Sequence, residues 1–228
     1  MLYVDKHILK SERTNISMHR DGGGEMWFGV GQGYHIMSLL NPEEGHPVKY
    51  FLEPVVVFLN YAEIDYNYRH VAMVGISGGW GVGWTTTLAA AIDYRIESSF
   101  PIAGSYPFFL RNNTDLGHWN APTYEDWGDW EETIPELYRI ANYLELYIIG
   151  SYGIGRSQLQ IINKYDSACF AGVKSQTYVP IIKEKIAKLG QGKWNLLLDD
   201  THYTHTISSH AMKTILKELD LKFNPNHN

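Results

Sequence analysis

The chain has 228 residues, enough for one sizeable core and no more than one domain. Hydrophobic residues make up 44% and charged residues 19%, the balance of a folded globular protein rather than a disordered one. A net charge of −6 argues against nucleic acid as a partner, since binding phosphates needs a basic excess.

No run of residues approaches the ~18 consecutive apolar positions that suggest a membrane span. The start, Met1-Leu2-Tyr3-Val4-Asp5-Lys6, lacks the basic stretch and long apolar run of a secretory signal. Cys169 is the single cysteine, so no internal disulfide forms. Together these lead to the expectation of a cytoplasmic protein with no membrane partner. Aromatics reach 14%, with 16 Tyr and 7 Trp. A tyrosine-rich core and surface explains this, and so does a pocket that stacks flat ligands.

Residues 1–44 read poorly as regular structure. Glycine-rich stretches at 21–24 and 29–33 suit loops. From His46 onward the pattern is regular. Residues 50–61 carry apolar positions at near-helical spacing, with Pro54 starting or kinking the helix. Residues 71–74 form a short apolar strand, and 85–92 a helix of small residues. Residues 100–104 predict a second strand. Residues 135–143 predict a helix with proline in its first turn. Residues 144–149 predict a strand closed by Gly150. Residues 181–189 are an amphipathic helix stopped by Gly190. Residues 194–198 are a strand, and 208–221 a final helix with Ser208 as N-cap.

Short apolar strands alternating with helices predict an α/β protein with a mostly parallel sheet, covered by helices on both faces. Ligand sites in such sheets lie at the carboxyl ends of the strands. The acidic, aromatic segment 112–134, with His118, Trp119, Trp127 and Trp130, is expected to be a lid-like insertion or a plain surface excursion.

The segment Gly75-Ile76-Ser77-Gly78-Gly79 lies between the strand at 71–74 and the following helix. A serine in G-x-S-x-G between a strand and a helix is held in a tight, strained turn that lifts its hydroxyl clear of the sheet. Ser77 is therefore the candidate nucleophile, and the Gly78 amide the candidate oxyanion donor. Trp80-Gly81-Val82-Gly83-Trp84 departs from the pattern, because Gly79, Gly81 and Gly83 are poor helix residues.

A serine nucleophile needs a general base, and the base an orienting carboxylate. His202, His205 and His210 follow the last strand. His205 is favoured, being on the loop just before the terminal helix. Asp166 is the first aspartate after the strand expected at 144–149, and Asp200 is the second choice. Asp199, Asp200, His202, His205 and His210 also raise a metal-site alternative, but the spacing is not that of His-Glu-x-x-His on one helix. No metal and no cofactor are expected.

These residues resemble the α/β-hydrolase superfamily, in its esterase and peptidase-like branch. The likeness is carried by the elbow and by Gly45-His46-Pro47-Val48-Lys49-Tyr50-Phe51-Leu52-Glu53-Pro54. It continues in Pro101-Ile102-Ala103-Gly104-Ser105, in Gln158-Leu159-Gln160-Ile161-Ile162-Asn163-Lys164-Tyr165-Asp166, and in Asp199-Asp200-Thr201-His202. It covers residues 45 to 221. The resemblance implies hydrolysis of an ester, thioester or amide in a small-molecule acyl substrate, through an acyl-enzyme and without a cofactor. It also implies a loop supplying a second oxyanion donor, for which residues 21–24 are the candidate. Only 76 residues precede Ser77, fewer than superfamily members usually have. The alternative is thus a non-catalytic, binding member of the fold, shortened at its N-terminus.

Overall fold

The computed structural model describes residues 17–19, 25–27, 45, 48–68, 70–78, 82–110, 139–167 and 170–223. The loops expected at 21–24 and 29–33, the residues at 79–81, the insertion at 112–134 and Cys169 lie outside the described residues.

Two three-residue strands, β1 (Ser17–His19) and β2 (Glu25–Trp27), pair antiparallel with Ser17 opposite Trp27. The chain then enters α1 (Lys49–Tyr66). Pro54 lies inside this helix rather than at its start, and lacks the N–H for the bond to the preceding turn. Its buried residues Leu52, Val55, Leu59 and Ala62 recur at intervals of three and four, giving one apolar stripe. Asn67 ends the helix in the left-handed conformation, φ 52°, and the Tyr68 N–H donates back to the Ala62 carbonyl. Asparagine here does what glycine usually does at a helix end.

The main sheet has four parallel strands in consecutive order: β3 (Val71–Ile76), β4 (Ile96–Ile102), β5 (Ser157–Asn163) and β6 (Lys193–Asp199). Helix α2 (Val82–Ile92) joins β3 to β4. Helix α3 (Tyr143–Ser151) precedes β5, α4 (Val179–Leu189) joins β5 to β6, and α5 (Ser209–Phe223) follows β6. Strand side chains alternate between two cores. On one face Ile96 and Trp194 pack with α1, α2, α3 and α4 through Leu59, Trp84, Leu88, Tyr147 and Ile182. On the other, Phe100, Ile102 and Ile161 pack with Ala211 and Ile215 of α5. The expectation of a parallel α/β sheet with helices on both faces holds.

Residues 135–149 differ from expectation: of the helix expected at 135–143, residues 135–138 lie outside the described residues and 141–142 are not helical. Residues 144–149 are not a strand but lie within α3, and the strand is β5, further along the chain. The N-terminus of α3 is fixed by a capping box. Asn142 Oδ1 accepts from the Glu145 N–H at 3.1 Å, and Glu145 Oε2 accepts from the Asn142 N–H at 2.7 Å.

Arg156 ties this region together. It follows Gly155, which takes φ 71°, and its guanidinium reaches four backbone carbonyls. Nε donates to Ile96 O at the start of β4, and Nη1 to Ile149 O and Tyr152 O at the end of α3. Nη2 donates to Ala90 O near the end of α2. One cation thus serves the negative ends of two helices.

Candidate active site

The strands of the sheet are parallel, so the carboxyl ends of β3, β5 and β6 open on one edge. Ser77 follows β3, Asp166 lies three residues past β5, and His205 is on the loop between β6 and α5. The candidate acid is therefore close behind its strand, rather than at the end of the long loop implied by a strand at 144–149.

Ser77 has φ 85°, a left-handed conformation that side chains rarely adopt. Two backbone bonds impose it. The Ser77 N–H donates to Ile102 O in the neighbouring strand at 2.9 Å, and the Trp84 N–H donates to Ser77 O at 3.0 Å. Close approach is possible because three residues lack a Cβ. One added at Gly75 would collide with the Val82 carbonyl. One at Gly83 would lie 2.7 Å from Ile102 O and 2.8 Å from Ser77 O, and one at Gly104 2.6 Å from Gly83 C. Helix α2 begins at Val82 rather than at 85, with Gly83 in its first turn. Gly78 is buried directly after the serine.

Asp166 and His205 are brought together. The imidazole Nδ1 lies 2.9 Å from Asp166 Oδ2 and 3.1 Å from Oδ1. An ionised carboxylate only accepts, so Nδ1 carries the hydrogen and Nε2 is the basic nitrogen of the neutral ring. The Asp166 side chain is fully buried while that of His205 is 26% exposed. A buried carboxylate beside a partly open imidazole both orients the ring and stabilises its charged form.

The other candidates are placed elsewhere. Asp200 is exposed and lies 3.8 Å from Lys164. His210 is exposed on α5. His202 Nε2 is 3.1 Å from Thr206 O. The two loop histidines thus face different partners, and among the described residues no three His, Cys, Asp or Glu side chains converge as metal ligands do. No described helix is long and apolar enough to cross a membrane.

Two contributors escaped the sequence reading. Asp199, given no role in the hydrolase chemistry by the sequence, is fully buried and accepts from the Thr201 N–H at 3.0 Å, the Thr201 hydroxyl at 2.6 Å and the Ser208 hydroxyl. Burial pushes its carboxyl up, but the bonds from Ser208 and Thr201 outweigh this and hold it below the usual value. Both ends of the His205 loop are thereby anchored on one carboxylate. Ser208 Oγ also accepts from the Ala211 N–H at 2.9 Å, capping α5 as expected. The second contributor is Asn163, whose Nδ2 donates to Asp166 Oδ2 at 3.0 Å. The available signal was an Asn three residues before the candidate acid, directly after the apolar pair Ile161-Ile162.

No protein-family model matches the chain, and no curated protein matches it. Solved structures do. The acylaminoacyl peptidase of Pyrococcus horikoshii superposes with a TM-score of 0.50 at 13% identity, over 78% of this chain and 28% of that one. The acetyl xylan esterase of Paenibacillus sp. R4 gives 0.50 at 13% identity, over 78% of this chain and 54% of that one. The chain thus spans between about a quarter and a half of the length of these two proteins. Its fold is that of the α/β-hydrolase superfamily. Its structural neighbours are hydrolases, a peptidase and an esterase among them.

Proposed function

We propose that this chain is a serine hydrolase that cleaves an ester, thioester or amide through an acyl-enzyme. The observation that carries the reading is the 2.9 Å bond between His205 Nδ1 and the buried Asp166 carboxylate, on the same sheet edge as a serine at φ 85°. The strands that precede Ser77 and Asp166, β3 and β5, lie two strand spacings apart, about 10 Å.

In this reading Ser77 Oγ attacks the substrate carbonyl carbon while His205 Nε2 takes the hydroxyl proton. Asp166 stays ionised and stabilises the imidazolium. The Gly78 N–H donates to the oxyanion of the tetrahedral intermediate. Collapse breaks the bond to the leaving group, which receives the proton from His205. Water then attacks the acyl-enzyme with His205 again as base, and Ser77 is released. The substrate is a small acyl compound, and the chemistry needs no cofactor or metal.

The test is intact-mass analysis after exposure to a fluorophosphonate, which loses fluoride as an activated serine oxygen bonds to phosphorus. A single adduct on the wild type that disappears in Ser77→Ala is the expected result. An adduct that survives in Ser77→Ala removes Ser77 as nucleophile. A folded wild type that forms none leaves a non-catalytic member of the fold.

A further inference from the structure

The loop between β6 and α5 carries a second histidine that the proposed chemistry does not use. His202 Nε2 lies 3.1 Å from the carbonyl of Thr206, the residue directly after His205. A carbonyl only accepts, so Nε2 carries the hydrogen. The same carbonyl accepts a second bond, from Asn163 Nδ2 at 3.1 Å. That amide nitrogen has two hydrogens, and the other goes to Asp166 Oδ2 at 3.0 Å. Asn163 is thus a bridge of one side chain between the proposed acid and the backbone beside the proposed base.

The bridge is made at a cost. Asn163 is fully buried, and its Oδ1 has no hydrogen-bond partner. His202 Nδ1 is likewise buried without one, 3.7 Å from Asp199 Oδ2. Unpaired buried polar atoms are destabilising, and those that persist call for an explanation. Here the donor atoms of both side chains converge on Thr206 O, and the unpaired atoms are the far sides of the same groups. A residue serving only the loop's own stability would not need to reach Asp166 as well.

We propose that Asn163 and His202 are positioning residues that clamp the Thr206 carbonyl, and so hold the His205 imidazole against Asp166. The inference rests on the serine hydrolase reading. Neither side chain reacts; both act through the placement of His205. Small misplacements of reacting groups lower rates steeply.

The experiment combines two readouts on Asn163→Ala, His202→Ala and His202→Gln. The first is the second-order rate of fluorophosphonate labelling. The second is the low-field proton resonance of His205 Nδ1, which reports the bond to Asp166 whether or not Ser77 reacts. Thermal unfolding is followed beside them. Asn163→Ala and His202→Ala should each label about 10- to 100-fold more slowly and lose the low-field signal while still folding. His202→Gln, whose amide nitrogen reaches where Nε2 was, should recover most of both. Should Asn163→Ala not fold, the His202 pair carries the test.

Wild-type labelling and an intact low-field signal in the alanine variants overturn the clamp and leave the hydrolase reading standing. A His202→Gln no better than His202→Ala overturns the part given to His202. A wild type that never labels, but whose low-field signal is lost in Asn163→Ala, supports the clamp and removes the hydrolase reading.

Discussion

Ser77 is held at φ 85° by its neighbours rather than by its own preference. A non-glycine residue in that region costs on the order of 1–2 kcal/mol. The bonds to Ile102 O and from Trp84 N offset this only if α2 lies close against β3 and β4. Gly83 makes that approach possible. In sequence it counts only as a poor helix residue, because helix propensity is local and does not register a carbonyl arriving from another strand. An alanine there would place its Cβ 2.7 to 3.0 Å from three backbone atoms, none at the end of a flexible side chain. Gly83→Ala should therefore cost about 1–3 kcal/mol, read as a lower urea midpoint at unchanged slope. Displacing the elbow should also slow labelling of Ser77. A variant as stable as the wild type would show that α2 shifts freely, and that the serine's conformation does not depend on it.

Among the elements, several from β3 onward were legible in sequence, since β3, α4, β6 and α5 carry clean apolar periodicity and ordinary stop signals. The failure at α3 and β5 has a physical cause. Residues 144–149 are apolar and β-branched enough to pass for a strand, and α3 buries Gly150 and Ser151 beside Tyr143, Leu146 and Tyr147 while apolar Ile149 is exposed, so its hydropathy periodicity is weak. The decisive signal was the capping pair Asn142 and Glu145, three residues apart. Strand β5 hid for the opposite reason: its buried positions include Gln158 and Gln160. Inside the core those amides are bonded, Gln158 Nε2 to Ser99 Oγ at 3.1 Å and Gln160 Oε1 to the Tyr178 hydroxyl at 2.9 Å. The Tyr178 hydroxyl is pushed well above its ordinary pKa by burial, so it remains a donor. Tyr178→Phe should strand Gln160 Oε1 and cost about 1–3 kcal/mol. Adding Gln160→Leu should cost less than the sum of the two single changes, which a double-mutant cycle in urea would measure. Strict additivity would mean that the two side chains do not depend on each other.

At the scale of the whole molecule, the alternation of helices and strands was enough to predict the parallel sheet, whose strand ends carry the candidates Ser77, Asp166 and His205. The pairing of Asp166 with His205 came from the chemistry a serine nucleophile requires, not from that alternation. The Asp166–His205 pair joins residues 39 positions apart, through loops whose course depends on Asp199 and Asn163. Pattern reading locates such residues on an edge and stops there. Arg156 shows the same non-local character in the scaffold, since its four carbonyl partners span Ala90 to Tyr152. All of them must be in place before the guanidinium is satisfied, so the clasp is expected to form after the folding transition state. Interactions that form late alter the escape rate from the native state and leave the rate of reaching it unchanged. Stopped-flow traces of Arg156→Lys should show unfolding roughly tenfold faster, with the refolding limb superimposed on the wild type. A slower refolding limb would instead put the clasp in the folding nucleus. On that expectation, the single arginine that joins two helix ends to a strand sets how long this protein survives between openings.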